Sequence, residues 1–229
     1  MLKSKKFLLL ISMLLFAFFI FYSYLVSKEL FTQHDFDTTV RFQDKIPRRF
    51  DYSFSVFSII GSLEITGVIW LIIFFYLLIK KYWLTALSLF LLPLALLMEL
   101  FGKVFLYHPG PPFFMYRGVI KFDFPSHFIQ TDYSYPSGHV TRTAFLIVFL
   151  MTYIYLKSSL KKGLFSIILL SCFLLTMLIS RIYLGEHWTT DVIGGFLVGS
   201  SFGILSAVTL PPKSGGKLQD QIKLHSARY

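Results

Sequence analysis

Six stretches of this 229-residue chain are apolar over roughly twenty residues each, and that pattern limits the fold more than any other feature. They run over roughly 7–26, 55–79, 83–107, 139–156, 164–183 and 189–209. About 20 apolar residues in a helix span the ~30 Å hydrocarbon core of a bilayer. The expected fold class is therefore all-α: a polytopic membrane protein built as a six-transmembrane-helix bundle. The composition agrees. Hydrophobic residues make up 55% of the chain, against about 45–50% in soluble domains.

The formal charge of +10 would suggest nucleic acid as a partner for a soluble protein. Here its placement matters more than its sum, and no nucleic-acid partner is expected. Lys3, Lys5, Lys6, Lys80, Lys81, Lys157, Lys161, Lys162, Lys213, Lys217, Lys223 and Arg228 all fall on one side of the expected spans, where Asp220 is the only acid. The segments 28–54 and 108–138 fall on the other side, with bases and acids roughly balanced. The positive-inside rule puts both termini in the cytoplasm and the long loops outside. The first span has too long an apolar run for a signal peptide and no small-residue cleavage site after it, so it reads as a retained anchor. A membrane domain is expected over 1–212, with a polar, disordered cytoplasmic tail over 213–229. Cys172 is the only cysteine, which excludes an intramolecular disulfide.

Ionisable residues inside spans are costly and mark function by default. Glu99 and Lys103 lie in the third span, and Arg181 closes the fifth. His187 and Asp191 open the sixth, and their i, i+4 spacing stacks them on one helix face. A carboxylate there can hold one ring nitrogen of His187 and leave the other free as base or nucleophile. The same stretch also suits a plain helix start, with Thr189 or Thr190 as cap. Pro136-Ser137-Gly138-His139 precedes the fourth span, where amides at a helix N-terminus can cradle a phosphate beside His139. Glu99, four residues before Lys103, is a natural ion-pair partner for it. Taken together, two histidines, an aspartate, an arginine and a lysine reach one membrane face. Two cations can neutralise a phosphoryl group, and two histidines can divide the roles of nucleophile and general acid.

These residues resemble the signatures of the type-2 phosphatidic acid phosphatases, whose superfamily also holds the vanadium haloperoxidases. Residues 136–139 match one signature, and Ser180, Arg181, His187 and Asp191 match another at full spacing. The stretch SRIYLGEHWTTDVIGGF is similar to that of bacterial phosphatidylglycerophosphate and undecaprenyl pyrophosphate phosphatases. The resemblance covers residues 30 to 210, and the first signature departs from it. Lys103 and Pro111 are in place, but Gly110 stands where the family has arginine. Arg142, His108, Arg117 and Lys121 are the candidates to replace that contact.

The resemblance implies a lipid phosphate or diphosphate phosphatase of the bacterial cell membrane, with its site facing outside the cytoplasm. No cofactor and no metal are expected. In that reading His187 attacks phosphorus, Asp191 polarises His187, and His139 protonates the leaving oxygen and then activates water. Lys103, Arg181, Ser137 and Gly138 hold the phosphoryl oxygens. The alternatives are a lipid phosphotransferase, or a non-catalytic lipid-binding membrane protein with a decayed site.

Overall fold

A computed structural model of the chain describes residues 2–120, 125, 131–158 and 160–211. The tail expected over 213–229, and Lys121, lie outside the described residues. The fold is an all-α membrane bundle, with no strand among the described residues. In chain order the helices are α1 (Leu2–Ser27), α2 (Thr32–Lys45), α3 (Asp51–Ile60), α4 (Leu63–Ile79), α5 (Trp83–Ser88), α6 (Leu91–Phe105), α7 (Gly138–Lys157), α8 (Leu160–Tyr183) and α9 (Thr189–Val208). Five helical segments are long and apolar enough to cross a membrane, and the bent α3–α4 pair makes a sixth.

Helix α9 is the axis of the bundle, packed most extensively against α7 and then α1. Its residues Gly195, Gly199 and Gly203 recur every fourth position and face α7. A Cβ at these three would lie 2.6, 2.3 and 2.6 Å from the carbonyl oxygens of Ser137, Thr141 and Phe145. Only glycine lets the two backbones come this close, which is the small-residue packing that replaces the hydrophobic effect inside a bilayer. On its other side α9 is locked to α1 by reciprocal hydrogen bonds. The Ser12 hydroxyl donates to the Ser201 carbonyl and the Ser201 hydroxyl to the Ser12 carbonyl, both at 2.8 Å.

Two spans are broken, and each break has a local cause. The second span, expected as one helix over 55–79, bends by 51° between α3 and α4. Gly61 and Ser62 form the corner, where the Ser62 hydroxyl caps α4 by accepting from the Ile65 amide. Gly61 fits because its neighbours are already close: a Cβ would lie 3.0 Å from the Met177 methyl and 3.2 Å from His139 Cδ2. The third span turns between α5 and α6, four residues ahead of Pro93. Proline has no amide to give to the Leu89 carbonyl, which accepts instead from the Leu92 amide at 3.0 Å and from the Trp70 indole at 3.1 Å.

Helix α2 lies in the segment 28–54, which the sequence presents as a plain loop. It packs against α8 and α9 and turns Asp35 and Thr39 into the protein. Its buried face is polar, so the usual apolar stripe of a packed helix is missing.

Candidate functional site

The last turns of α6 and α8 and the first turns of α7 and α9 meet at one end of the bundle. The Tyr133 amide donates to the Lys103 carbonyl at 3.2 Å, tying the segment before α7 to the end of α6. The Ser137 amide donates to the Asp191 carbonyl at 3.0 Å, tying α7 to α9. A tight turn at Gly185 (φ +64°) folds the chain back, so that the amides of Glu186 and His187 both donate to the Arg181 carbonyl at 3.2 Å. A Cβ at Gly185 would lie 2.3 Å from the Met115 carbonyl, a second reason for glycine there.

His187 Nδ1 lies 3.1 Å from Asp191 Oδ2, and the same oxygen accepts from the Trp188 amide at 3.0 Å. Asp191 is therefore both the first-turn acid of α9 and the partner of His187. The His187 partnership and the first-turn acid hold together, because one carboxylate has enough lone pairs for both. The cap expected at Thr189 or Thr190 is not there: Trp188 is the N-cap, both threonines are inside α9, and His187 lies just before the helix instead of on it. Its other oxygen, Oδ1, lies 3.4 Å from His108 Nε2.

Arg181 is fully buried. One guanidinium nitrogen pairs with Glu186 Oε2, which is also near the Ser58 hydroxyl. The other two, Nε and Nη2, have no hydrogen-bond partner among the described residues. Unpaired buried cationic donors are costly, so they mark a place built for an anion. The Ser137 hydroxyl is also buried without a partner. The Ser137 amide is already committed to Asp191, so free amides at the start of α7 begin with Gly138.

Glu99 reaches that same helix start. Its Oε1 would lie 2.0 Å from a Cβ on Gly138, so any side chain at 138 would collide with the carboxylate. Lys103 Nζ pairs with Glu99 Oε1 at 2.8 Å, as the spacing predicts. Arg142 Nη1 stands 3.7 Å from Glu99 Oε2 and Nη2 donates to the Gly61 carbonyl at 3.3 Å. Glu99 thus links Lys103 to Arg142, and the α3–α4 corner supplies a carbonyl for Arg142 Nη2, while Arg142 Nε has no hydrogen-bond partner among the described residues. His139 stands among these groups: Arg181, Arg142, His187 and Lys103 all act on it electrostatically.

An open hollow of about 480 Å³ leads outward, lined by Lys103, Gly110, Thr131, Asp132, Tyr133, Ser134, Glu186 and His187. Gly110 lies on its wall, so the space is wider where a side chain is missing. Of the candidates to replace that side chain, Arg142 is held inside by Glu99. Arg117 donates to the Gln43 carbonyl at 2.9 Å and stacks on Tyr183, which places it on the α2–α8 contact. His108 is buried, and its Nε2 contacts Thr190 instead of lining the hollow. Sequence reasoning missed Asp35, whose carboxylate accepts from the Thr190 amide at 2.9 Å and from its hydroxyl at 2.7 Å. Burial raises the Asp35 carboxyl above its usual range, and the Thr190 hydrogen bonds and His108 oppose the rise. An acid in a polar segment gave no hint of this. Glu99 at the Gly138 seat was partly signalled by its position four residues before Lys103.

A second, apolar hollow of about 570 Å³ lies between α3, α4, α7 and α8, lined among others by Ile60, Thr143, Leu146 and Phe173. It begins one residue from Gly61, against which the His139 ring lies.

The family model described as "PAP2 superfamily" matches residues 83–214. An undecaprenyl-diphosphatase from Sulfolobus acidocaldarius is 41% identical over 80 residues, covering 33% of this chain and 33% of that one. A phosphatidylglycerophosphatase B from Bacillus subtilis is 33% identical over 84 residues, covering 35% of this chain and 40% of that one. The chain thus spans a third to two fifths of the length of these curated relatives. A crystal structure described as the first transmembrane PAP2 type phosphatidylglycerolphosphate phosphatase, from Bacillus subtilis, superposes with a TM-score of 0.69 at 20% identity. It covers 85% of this chain and 93% of that one. At that identity the likeness speaks to the fold.

Proposed function

This chain belongs to the PAP2 superfamily, and from that premise we propose that it is a phosphatase acting on a lipid monophosphate or diphosphate through a phosphohistidine. The observation that carries the reading is the pairing of His187 with Asp191 beside a fully buried Arg181 with two unpartnered guanidinium nitrogens. That fork suits two phosphoryl oxygens. Lys103 and the free amides from Gly138 onward add positive potential on the α7 side. The apolar hollow beside Gly61 suits the hydrocarbon chain of a lipid, with its head toward His139 and the outer hollow.

In this reading His187 Nε2 attacks phosphorus while Asp191 holds Nδ1–H. The bond to the leaving oxygen breaks, and His139 gives that oxygen a proton. His139 then takes a proton from water, which attacks the phosphohistidine and releases phosphate and His187. The carboxylates each have an assigned partner: Asp191 serves His187, Glu99 serves Lys103 and Arg142, and Glu186 serves Arg181. Charge neutralisation by Lys103 and Arg181 is what a metal would otherwise supply, so turnover without a metal is expected.

The test is phosphate release by purified protein in detergent with EDTA present. Undecaprenyl diphosphate, phosphatidylglycerophosphate and a short-chain, water-soluble phosphomonoester form the panel. The long-chain lipids should be turned over at lower KM than the soluble ester, and vanadate should inhibit. Activity that EDTA abolishes and Mg²⁺ restores would overturn the metal-free reading, and dependence on an alcohol acceptor would make the protein a phosphotransferase.

A further inference from the structure

Behind the His187–Asp191 pair lies a second, fully enclosed set of polar groups on three different elements. His108 follows α6, Asp35 is on α2 and Thr190 is on α9. His108 is 7% exposed, Asp35 and Thr190 are each 1% exposed, and Asp191 is 0% exposed. The hydrogen bonds give the order of donors. The Thr190 hydroxyl has one proton, and its 2.7 Å contact with Asp35 Oδ2 is where that proton goes. Thr190 Oγ1 is then the acceptor for His108 Nε2 at 2.9 Å, so His108 carries a proton on Nε2. That N–H also lies 3.4 Å from Asp191 Oδ1 and 3.8 Å from Asp35 Oδ2. Asp191 Oδ1 makes no hydrogen bond among the described residues, so the 3.4 Å approach of His108 acts on it electrostatically.

From this geometry we propose that His108 and Asp35 are positioning residues for His187, acting through the second oxygen of Asp191. Asp35 orients Thr190, Thr190 accepts the His108 Nε2–H, and His108, 3.4 Å from Asp191 Oδ1, fixes the plane of the Asp191 carboxylate by electrostatic attraction. That plane sets the direction in which Oδ2 meets His187 Nδ1, and so which ring nitrogen of His187 stays free. Without His108, Asp191 Oδ1, which already has no hydrogen bond among the described residues, would also lose the polar group at 3.4 Å, and the carboxylate would turn to find a donor. His108 occupies the segment where the family places basic phosphate contacts, and here it serves the histidine instead of the phosphate. The same set explains α2, a polar helix held at the first turn of α9 by Asp35.

This proposal rests on the phosphatase reading, so its test has one arm that needs turnover and one that does not. In the kinetic arm, His108→Ala should lower kcat by ~10- to 100-fold, the range seen when a group orienting a functional ligand's partner is removed, and leave KM within twofold. His108→Gln, whose amide can stand near Nε2, should recover part of the loss. Asp35→Asn should show the same kcat-selective defect more weakly. In an Asp191→Asn background, His108→Ala should cost nothing further, whereas a purely structural role would multiply the two losses. In the second arm, ¹⁵N-histidine spectra of the ligand-free protein should show His187 mainly as the Nδ1–H tautomer. That share should fall in His108→Gln and in Asp35→Asn.

An inert wild type whose His187 tautomer still responds to His108→Gln would reject the phosphatase reading and keep the coupling. A folded His108→Ala with unchanged kcat, or an unchanged His187 spectrum in both His108→Gln and Asp35→Asn, would overturn the proposal. If His108→Ala fails to fold, the Gln and Asn variants decide it alone.

Discussion

At the scale of single residues, the two histidines differ in what holds them. His187 has a carboxylate 3.1 Å from Nδ1, whereas His139 stands among cations beside the start of α7. His187→Ala is therefore expected to abolish turnover and any trapped phosphoenzyme. His139→Ala should lower turnover by ~10²- to 10⁴-fold yet still allow slow phosphorylation by a substrate with a good leaving group. Rapid quench with a labelled substrate decides: an acid-labile adduct that persists in His187→Ala and vanishes in His139→Ala reverses the assignment. Arg142 is a different case. Its guanidinium is tied to Glu99 and to the Gly61 carbonyl, and the charge of Glu64 also reaches it. Arg142→Ala should then lower stability by about 3–5 kcal/mol, as for a broken buried pair, seen as a fall in Tm in detergent. A fully stable variant with raised KM would instead assign Arg142 to the substrate. Asp191, Arg181 and Lys103 were legible because each sits on an expected helix, and His187, just before α9, because of its four-residue spacing to Asp191 together with the family resemblance. The sequence could not show that Glu99 fills the space above Gly138, or that His108 turns to Thr190, because both contacts join elements far apart in the chain.

At the scale of helices, apolar length was enough to find the spans but not their breaks. The 51° corner at Gly61–Ser62 lies in a run that is apolar overall, although Gly61, Ser62 and Glu64 interrupt it, and tertiary contacts hold it: Arg142 takes the Gly61 carbonyl and His139 and Met177 leave little room for a side chain. Helix α2 was illegible for the opposite reason. It buries Asp35 and Thr39, so no 3.6-residue apolar pattern announces it. The α7–α9 contact could be read from Gly195, Gly199 and Gly203 at four-residue spacing, although the sequence does not say which helix they meet. This contact aligns the start of α7 with the start of α9, and so holds His139 near His187. Gly199→Leu, whose Cβ alone would lie 2.3 Å from the Thr141 carbonyl, should force the helices apart. The expected result is loss of folded protein on size exclusion, with any surviving fraction inactive. A monodisperse, active Gly199→Leu protein would show that the helices can separate without disturbing the site.

At the scale of the whole molecule, charge and chemistry separate to opposite ends of the bundle. The site lies where α6 and α8 end and α7 and α9 begin. At the far end of α9, Lys5 from α1 donates to the Val208 carbonyl at 2.8 Å, and Lys157 from the end of α7 donates to the Pro211 carbonyl at 2.8 Å. These lysines satisfy carbonyls that a helix C-terminus leaves open, and they favour its negative dipole end. Exposed Lys80 and Lys81, in the turn after α4, add to the basic side of the chain. By the positive-inside rule such an end is expected in the cytoplasm, and the expected place of the hollow at His187 is then outside it. Cysteine labelling tests this in intact cells, starting from a Cys172→Ala background. Phe113, 89% exposed on the short turn Phe113–Met115, is the reporter for the site end, and Lys80 for the basic end. A membrane-impermeant maleimide should label Phe113→Cys in intact cells and Lys80→Cys only after permeabilisation. The reverse pattern would put the site in the cytoplasm. The lipid head would then have to be presented from the inner leaflet.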